Sequence, residues 1–230
     1  MRKLEPLCTP ELDELWKSAI VNLRNQMNVN LTEAAKSAEQ FAHRYDGRRA
    51  SMVVDVVTSR QRSYEARVLP MVADYEDRNG DLSLTQLAQC GSSLRGLRND
   101  EESTIQNVAR GLLLFGESRE LENDDEIVRQ WAAATEGLEV AHELDTFVGK
   151  TKGIGTALFS YLRMRSGGNS IKPDVRVRTK LHEFGFSPFI PQDAIGLFVL
   201  ARTVASEINV SMLVLDQLLW GPEVAKSTVF

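Results

Sequence analysis

Apolar residues recur at three- and four-residue steps along almost the whole chain, and this periodicity constrains the fold more than any other feature. Leu12, Leu15, Trp16, Ala19, Ile20, Leu23 and Met27 fall on one helical face. Thr9 suits the cap of that helix and Pro10 its first position, with Glu11 and Asp13 in the first turn. After "NVNLTE" a second helix is expected, with Ala34, Ala35, Ala38, Phe41, Ala42 and Tyr45 in register. "ASMVVDVVTSRQRSYEARVLPMV" carries a β-branched run that suits strand or helix; its length and the lack of a partner strand favour helix as far as Pro70. Further helices are expected from about Leu84 to Arg95, from Asp100 to Phe115 behind the acidic "NDEES", and along Ile127, Trp131, Ala134, Leu138, Ala141 and Leu144. Two more follow, from Gln192 to Ile208 and from Val210 to Trp220. No internal repeat and no convincing strand emerges. The expected fold is all-α and two-lobed, with a helical region over 1–120 and a second region over 121–230 that pack as one unit.

Two simple motifs are weighed and set aside. "DRNGDLS" places Asp77, Asn79, Asp81 and Ser83 at alternate positions, as a calcium loop does, but Leu82 stands where that loop needs glycine and Ala88 where it needs a bidentate glutamate. It reads as a turn in which Ser83 or Asp81 caps the next helix. Cys8 and Cys90 give no disulfide framework and too few ligands for a four-cysteine cluster, and His43, His142 and His182 have no metal-ligand spacing. No apolar run approaches the ~18–20 residues of a membrane span. Glu5, Glu11 and Asp13 interrupt the start of the chain before any apolar signal region forms. These features imply a cytoplasmic protein with no resident cofactor and no membrane partner.

Charge is distributed unevenly. The net charge is −5, yet Val148 to Leu181 holds Lys150, Lys152, Arg163, Arg165, Lys172, Arg176, Arg178 and Lys180 against Asp174 alone, a net of +7. The remaining chain holds nineteen basic against thirty-one acidic residues, a net of −12. Such segregation places an electropositive region on an acidic protein, or else decorates ordinary solvated helix faces.

The same window contains "VGKTKGIGTALF". Three glycines within seven residues, interleaved with lysines, are costly inside a helix and mark a tight turn between helices. Amides at the start of the following helix attract an anion such as phosphate, although an ordinary packed turn has the same composition. "TALFSYLRM" then forms a helix that stops at "SGGN", and Pro173 keeps Lys172 extended before Asp174 opens the next helix. Asp174 is explained by capping alone; its isolation among basic residues is not.

This combination resembles the helix-hairpin-helix DNA glycosylase superfamily, the group of endonuclease III and the oxoguanine and methyladenine glycosylases. Gly153-Ile154-Gly155 followed by Asp174, then "VRVRTKLHEFG" and the late "LDQLLWG" carry the likeness, which covers roughly Leu138 to Gly221. The resemblance implies that the hairpin amides around Gly153, Ile154 and Gly155 hold a DNA phosphate, with a monovalent cation possible on the hairpin carbonyls. Lys150, Lys152, Arg163, Arg165, Lys172 and Arg176 would serve as DNA contacts. Asp174 would be the catalytic carboxylate, stabilising positive charge on the sugar of a flipped nucleotide. Ala157 stands where lyase-active members carry a lysine, and the iron–sulfur cysteines are missing, so the implied enzyme is monofunctional. Base release would then depend on Asp174. A binding-only descendant of the fold would retain salt-dependent nucleic-acid binding without it, and a protein-interaction module would use the hairpin merely as a turn.

Overall fold

The computed structural model describes residues 10–220, except the side chains of Asn28 and Val29, so Cys8, the Thr9 cap and Gly221 lie outside the described residues. Among the described residues the fold is all-α, without a strand. The helices are α1 (Pro10–His43), α2 (Arg49–Thr58), α3 (Leu69–Arg78), α4 (Leu84–Cys90), α5 (Glu101–Ser118) and α6 (Asp124–Ala134). They continue with α7 (Ala141–Leu144), α8 (Thr156–Arg165), α9 (Val175–Glu183), α10 (Ala194–Glu207) and α11 (Met212–Trp220). A π-helical turn, Tyr64–Val68, leads into α3, and a 3₁₀ turn, Ser187–Phe189, follows α9.

Two hydrophobic cores organise these helices. One gathers Ala38, Ala42 and Tyr45 with the apolar faces of α2 to α8, and α2 is buried on every side, as its β-branched run requires. The other gathers Ala19, Ile20, Leu23, Met27 and Ala34 with Ile171 and the inner faces of α9, α10 and α11. The expected division at residue 120 is therefore not where packing divides the chain. The first lobe spans roughly 38–164 and also takes in Leu213 of α11, and the second joins the start of α1 to most of the chain after 170.

Several boundaries differ from expectation, each for a physical reason. α1 runs unbroken through "NVNLTE", because its two halves are each buried in a core and that burial outweighs the modest helix propensity of asparagine. Leu15, placed on its inner face by periodicity, is 43% exposed. Pro70 opens α3 instead of ending a helix, since a missing amide costs nothing in the first turn. α4 stops at Gly91, whose φ of +72° suits glycine and whose Cβ position lies 2.1 Å from Glu102 Oε1, which no side chain could share. The expected helix over 127–144 is two: α6 ends at Ala134 and the chain reverses, so that the carboxylate of Asp145 reaches the indole Nε1 of Trp131 at 2.9 Å. The caps at Ser83, Asp174 and Asp193 each accept a backbone amide of the helix that follows.

Candidate nucleic-acid interface

The glycine-rich loop between α7 and α8, expected from sequence to be a hairpin, is built around one carboxylate that composition does not single out. Asp145 Oδ1 accepts the amides of Phe147, Val148 and Gly149 at 3.1, 2.6 and 2.8 Å, while its other oxygen holds Trp131. Two consecutive turns follow, closed by Thr151 N to Val148 O at 2.9 Å and Ile154 N to Thr151 O at 3.0 Å. The arm ahead of the hairpin is thus a single helical turn, α7, and not an extended helix. Gly153 adopts φ +92°, and a Cβ there would stand 2.7 Å from Thr104 Oγ1 on α5. That same hydroxyl donates to the Lys152 carbonyl at 2.9 Å, docking the hairpin on the first turn of α5.

Ile154 is buried and anchors the turn, whereas Gly155 is exposed and begins α8 with no side-chain cap. The first amides of α8 therefore have no capping carboxylate or hydroxyl to take them. Lys150 and Lys152 are both exposed on the same loop, and Lys150 Nζ donates to the Glu143 carbonyl at 2.6 Å. Ala157 is half-buried in the first turn of α8.

Arg163 and Arg165 do not belong to this surface. They are 1% and 2% exposed, and the expectation that both contact DNA is corrected by their burial. Arg163 donates to the Ala132 carbonyl at 3.2 Å, and burial lowers its pKa. Arg165 stacks 3.6 Å over Phe41 and pairs with Asp55 at 3.1 Å, inside a cage where Tyr45, Tyr64 and Tyr161 all donate hydroxyls to the same carboxylate. Burial pushes the phenols of Tyr45 and Tyr161 well above 10, so they remain donors. Of the aromatic residues available for stacking on a base, Trp131, Phe159 and Tyr161 are core, and Trp220 is half-buried with the Arg176 guanidinium 3.7 Å above it.

Asp174 lies where the two lobes meet. Its Oδ1 accepts the amides of Arg176 and Val177 at 3.0 and 3.2 Å, and its Oδ2 stands 3.8 Å from Lys172 Nζ. The Lys172 ammonium in turn sits 4.6 Å from the centre of the Tyr161 ring, on α8. Tyr161 is six residues beyond Gly155, about 9 Å along the helix, so α8 ties the hairpin to the neighbourhood of Asp174. Behind it lies Asp216 of α11, fully buried, with its pKa pushed up to about 7 by burial, and further by the charge of Asp174. Its partners are the Gln217 amide at 3.1 Å and the Lys172 amide at 3.5 Å, and Ser37 of α1 completes the chain by donating to Gln217 at 2.8 Å.

Of the residues expected from sequence, the structure gathers Lys150, Lys152, Gly153, Ile154 and Gly155 in one loop and Lys172, Asp174 and Arg176 at the head of α9. Sequence reasoning missed Asp145 and Asp216. A lone carboxylate four residues before a turn glycine, and another inside the apolar run "MLVLDQLLW", were the available signals. Two surface cavities, one walled by Gln61, Arg62 and Arg95 and one by Asn169, Arg202 and Met212, do not include Asp174. Among the described residues no helix alone is long and apolar enough to cross a membrane, and no group of metal-ligating side chains gathers. Comparison of the chain with protein-family models, curated proteins and solved structures finds no match.

Proposed function

We propose that this chain binds DNA through the Lys150–Gly155 hairpin and the start of α8, as a protein resembling the monofunctional helix-hairpin-helix glycosylases, with Asp174 as its catalytic carboxylate. The observation that carries this reading is the uncapped amino end of α8 behind an exposed glycine and two exposed lysines, joined by one short helix to the seam where Asp174 stands. Free amides and lysines suit a phosphate. Asp174 is fixed by two backbone amides at a helix start, and a carboxylate held in place is what stabilising a cationic sugar requires. The role assigned to Asp174 is electrostatic: it faces positive charge as the N-glycosidic bond of a damaged base breaks, and its Oδ2, free of the cap, orients water.

The test is base release from duplexes carrying oxidised, alkylated or deaminated bases, read as abasic product, together with duplex affinity. Asp174→Asn is expected to abolish release while leaving affinity within about threefold. Release that survives this change excludes Asp174 as the catalytic group. Charge reversal of Lys150 and Lys152 is expected to weaken duplex binding and flatten its salt dependence. A second reading, nucleic-acid binding without catalysis, is favoured by one observation: Asp174 gives its Oδ1 wholly to capping α9. Salt-dependent binding with no abasic product from any lesion would select it.

A further inference from the structure

A second basic surface lies beside the hairpin, on residues that sequence reading passed over. A cavity of about 520 Å³ opens between the π-helical turn ahead of α3 and the loop that joins α4 to α5. Arg62, Arg67 and Arg95 stand on its walls, opposed by Asp74 alone, and Asp74 is already paired with Arg78 at 2.5 Å. Arg62 is held by fully buried Glu101 through two 2.7 Å hydrogen bonds, which neutralise its charge and fix it as a rigid wall, so the free positive charge of the cavity comes from Arg67 and Arg95. Arg67 and Arg95 are exposed, and among the described residues neither has an ion pair or a side-chain hydrogen bond.

The backbone around this cavity is held in unusual conformations. Gln61 on its rim and Ser93 on the facing loop have φ of +54° and +53°, a region that costs a non-glycine residue energy and that clusters at binding sites. The adjacent turn is π-helical, with the Val68 amide reaching back to Ser63 O at 3.3 Å, another feature concentrated at functional positions. Arg98 ties the two loops by donating to the Gln61 carbonyl at 3.3 Å. The segment that forms the rim also forms the hairpin's bed: Arg60 pairs with Asp100 at 2.7 Å, and its Nη1 lies 3.1 Å from where a Gly153 Cβ would be. Hairpin and cavity are therefore neighbours across a single short loop.

We infer that this cavity holds a nucleotide unit of the bound nucleic-acid strand, with its phosphate between the guanidiniums of Arg67 and Arg95. The volume suits a ligand of that size, and guanidinium forks match phosphate oxygens in geometry as well as charge. Pro70 and Met71 supply an apolar floor for the sugar. The inference rests on the reading of the protein as a nucleic-acid binder but does not need Asp174 to be catalytic.

The test measures fluorescence anisotropy of a labelled single strand and of its duplex across a salt series, with the full chain, the R67A/R95A double variant and the K150E/K152E double variant. Both arginines are exposed and without partners, so R67A/R95A is expected to keep the wild-type thermal transition. It is expected to lose roughly tenfold in affinity, and the slope of log affinity against log salt is expected to become shallower by about two. Unchanged affinity and slope in R67A/R95A, in a protein that binds and responds to K150E/K152E, overturns the cavity and spares the hairpin. Weakening by R67A/R95A with indifference to K150E/K152E retires the hairpin as the grip and keeps the cavity. Absence of binding by the wild-type chain to either probe overturns both.

Discussion

Asp55 shows how much one buried carboxylate can organise. It is 0% exposed, pairs with Arg165 and accepts three tyrosine hydroxyls, drawing together α2, α8, the turn after α1 and the π-helical turn. Asp55→Ala leaves the Arg165 guanidinium buried without its counter-ion, so a loss of about 3–5 kcal/mol is expected in urea unfolding. Gly153 is constrained in another way: Gly153→Ala places a methyl 2.7 Å from Thr104 Oγ1 at a left-handed φ, and should cost about 1–3 kcal/mol. Weakening of the Thr104–Lys152 contact would appear as faster amide exchange in the hairpin. Asp216 makes a pH prediction. Its pKa rises from 3.8 to about 7 on folding, so the folded state binds its proton more tightly than the unfolded chain. The penalty is absent below about pH 4, grows as pH rises, and is complete above about pH 7, where it is on the order of 4 kcal/mol. Asp216→Asn is therefore expected to gain stability relative to the native chain between about pH 5 and pH 8, with the difference vanishing near pH 4. A difference that does not vary with pH would contradict this account.

The element that matters most to the proposed chemistry is α9, and its start separates two roles of one side chain. Asp174 caps α9 through Arg176 and Val177, so Asp174→Ala is expected to destabilise by about 1 kcal/mol, whereas Asp174→Asn keeps an accepting oxygen and changes stability little. The contrast can be read in thermal melts, and it makes the asparagine variant the proper test of charge. This cap was legible in the sequence because its partners lie two and three residues away. The fate of Arg163 and Arg165 was not. Both read as part of a basic surface, yet Arg165 meets Asp55 across more than a hundred residues of chain, and nothing local announces the pairing. The same holds for Arg67 and Arg95, whose shared cavity exists only once α3 and the α4–α5 loop come together. The continuity of α1 escaped notice for a related reason: "NVNLTE" is locally indifferent to helix, and two distant cores decide the matter.

At the scale of the molecule, α1 is shared structure. Its 34 residues span about 51 Å, with Ala34 in one core and Ala38 in the other. Calorimetry is expected to show one cooperative transition for the native chain. Lys36→Pro, at an exposed position between those two alanines, removes a helical hydrogen bond and should cost about 3 kcal/mol or more. Two resolved transitions are expected in that variant, because the lobes lose their common helix; a single lowered transition would mean that the packing of α10 and α11 on the first lobe couples them.

The same helix imposes an order on biosynthesis. The first lobe is built mainly from residues up to about 164, but the apolar face from Ala19 to Ala34 has no cover until Ile171 emerges and is not fully covered until Leu219 has been made. At ordinary translation speeds that interval lasts roughly ten to forty seconds. The earliest described segment to leave the ribosome is therefore among the last to be buried, and a nascent chain stalled between the lobes would present that face to chaperones.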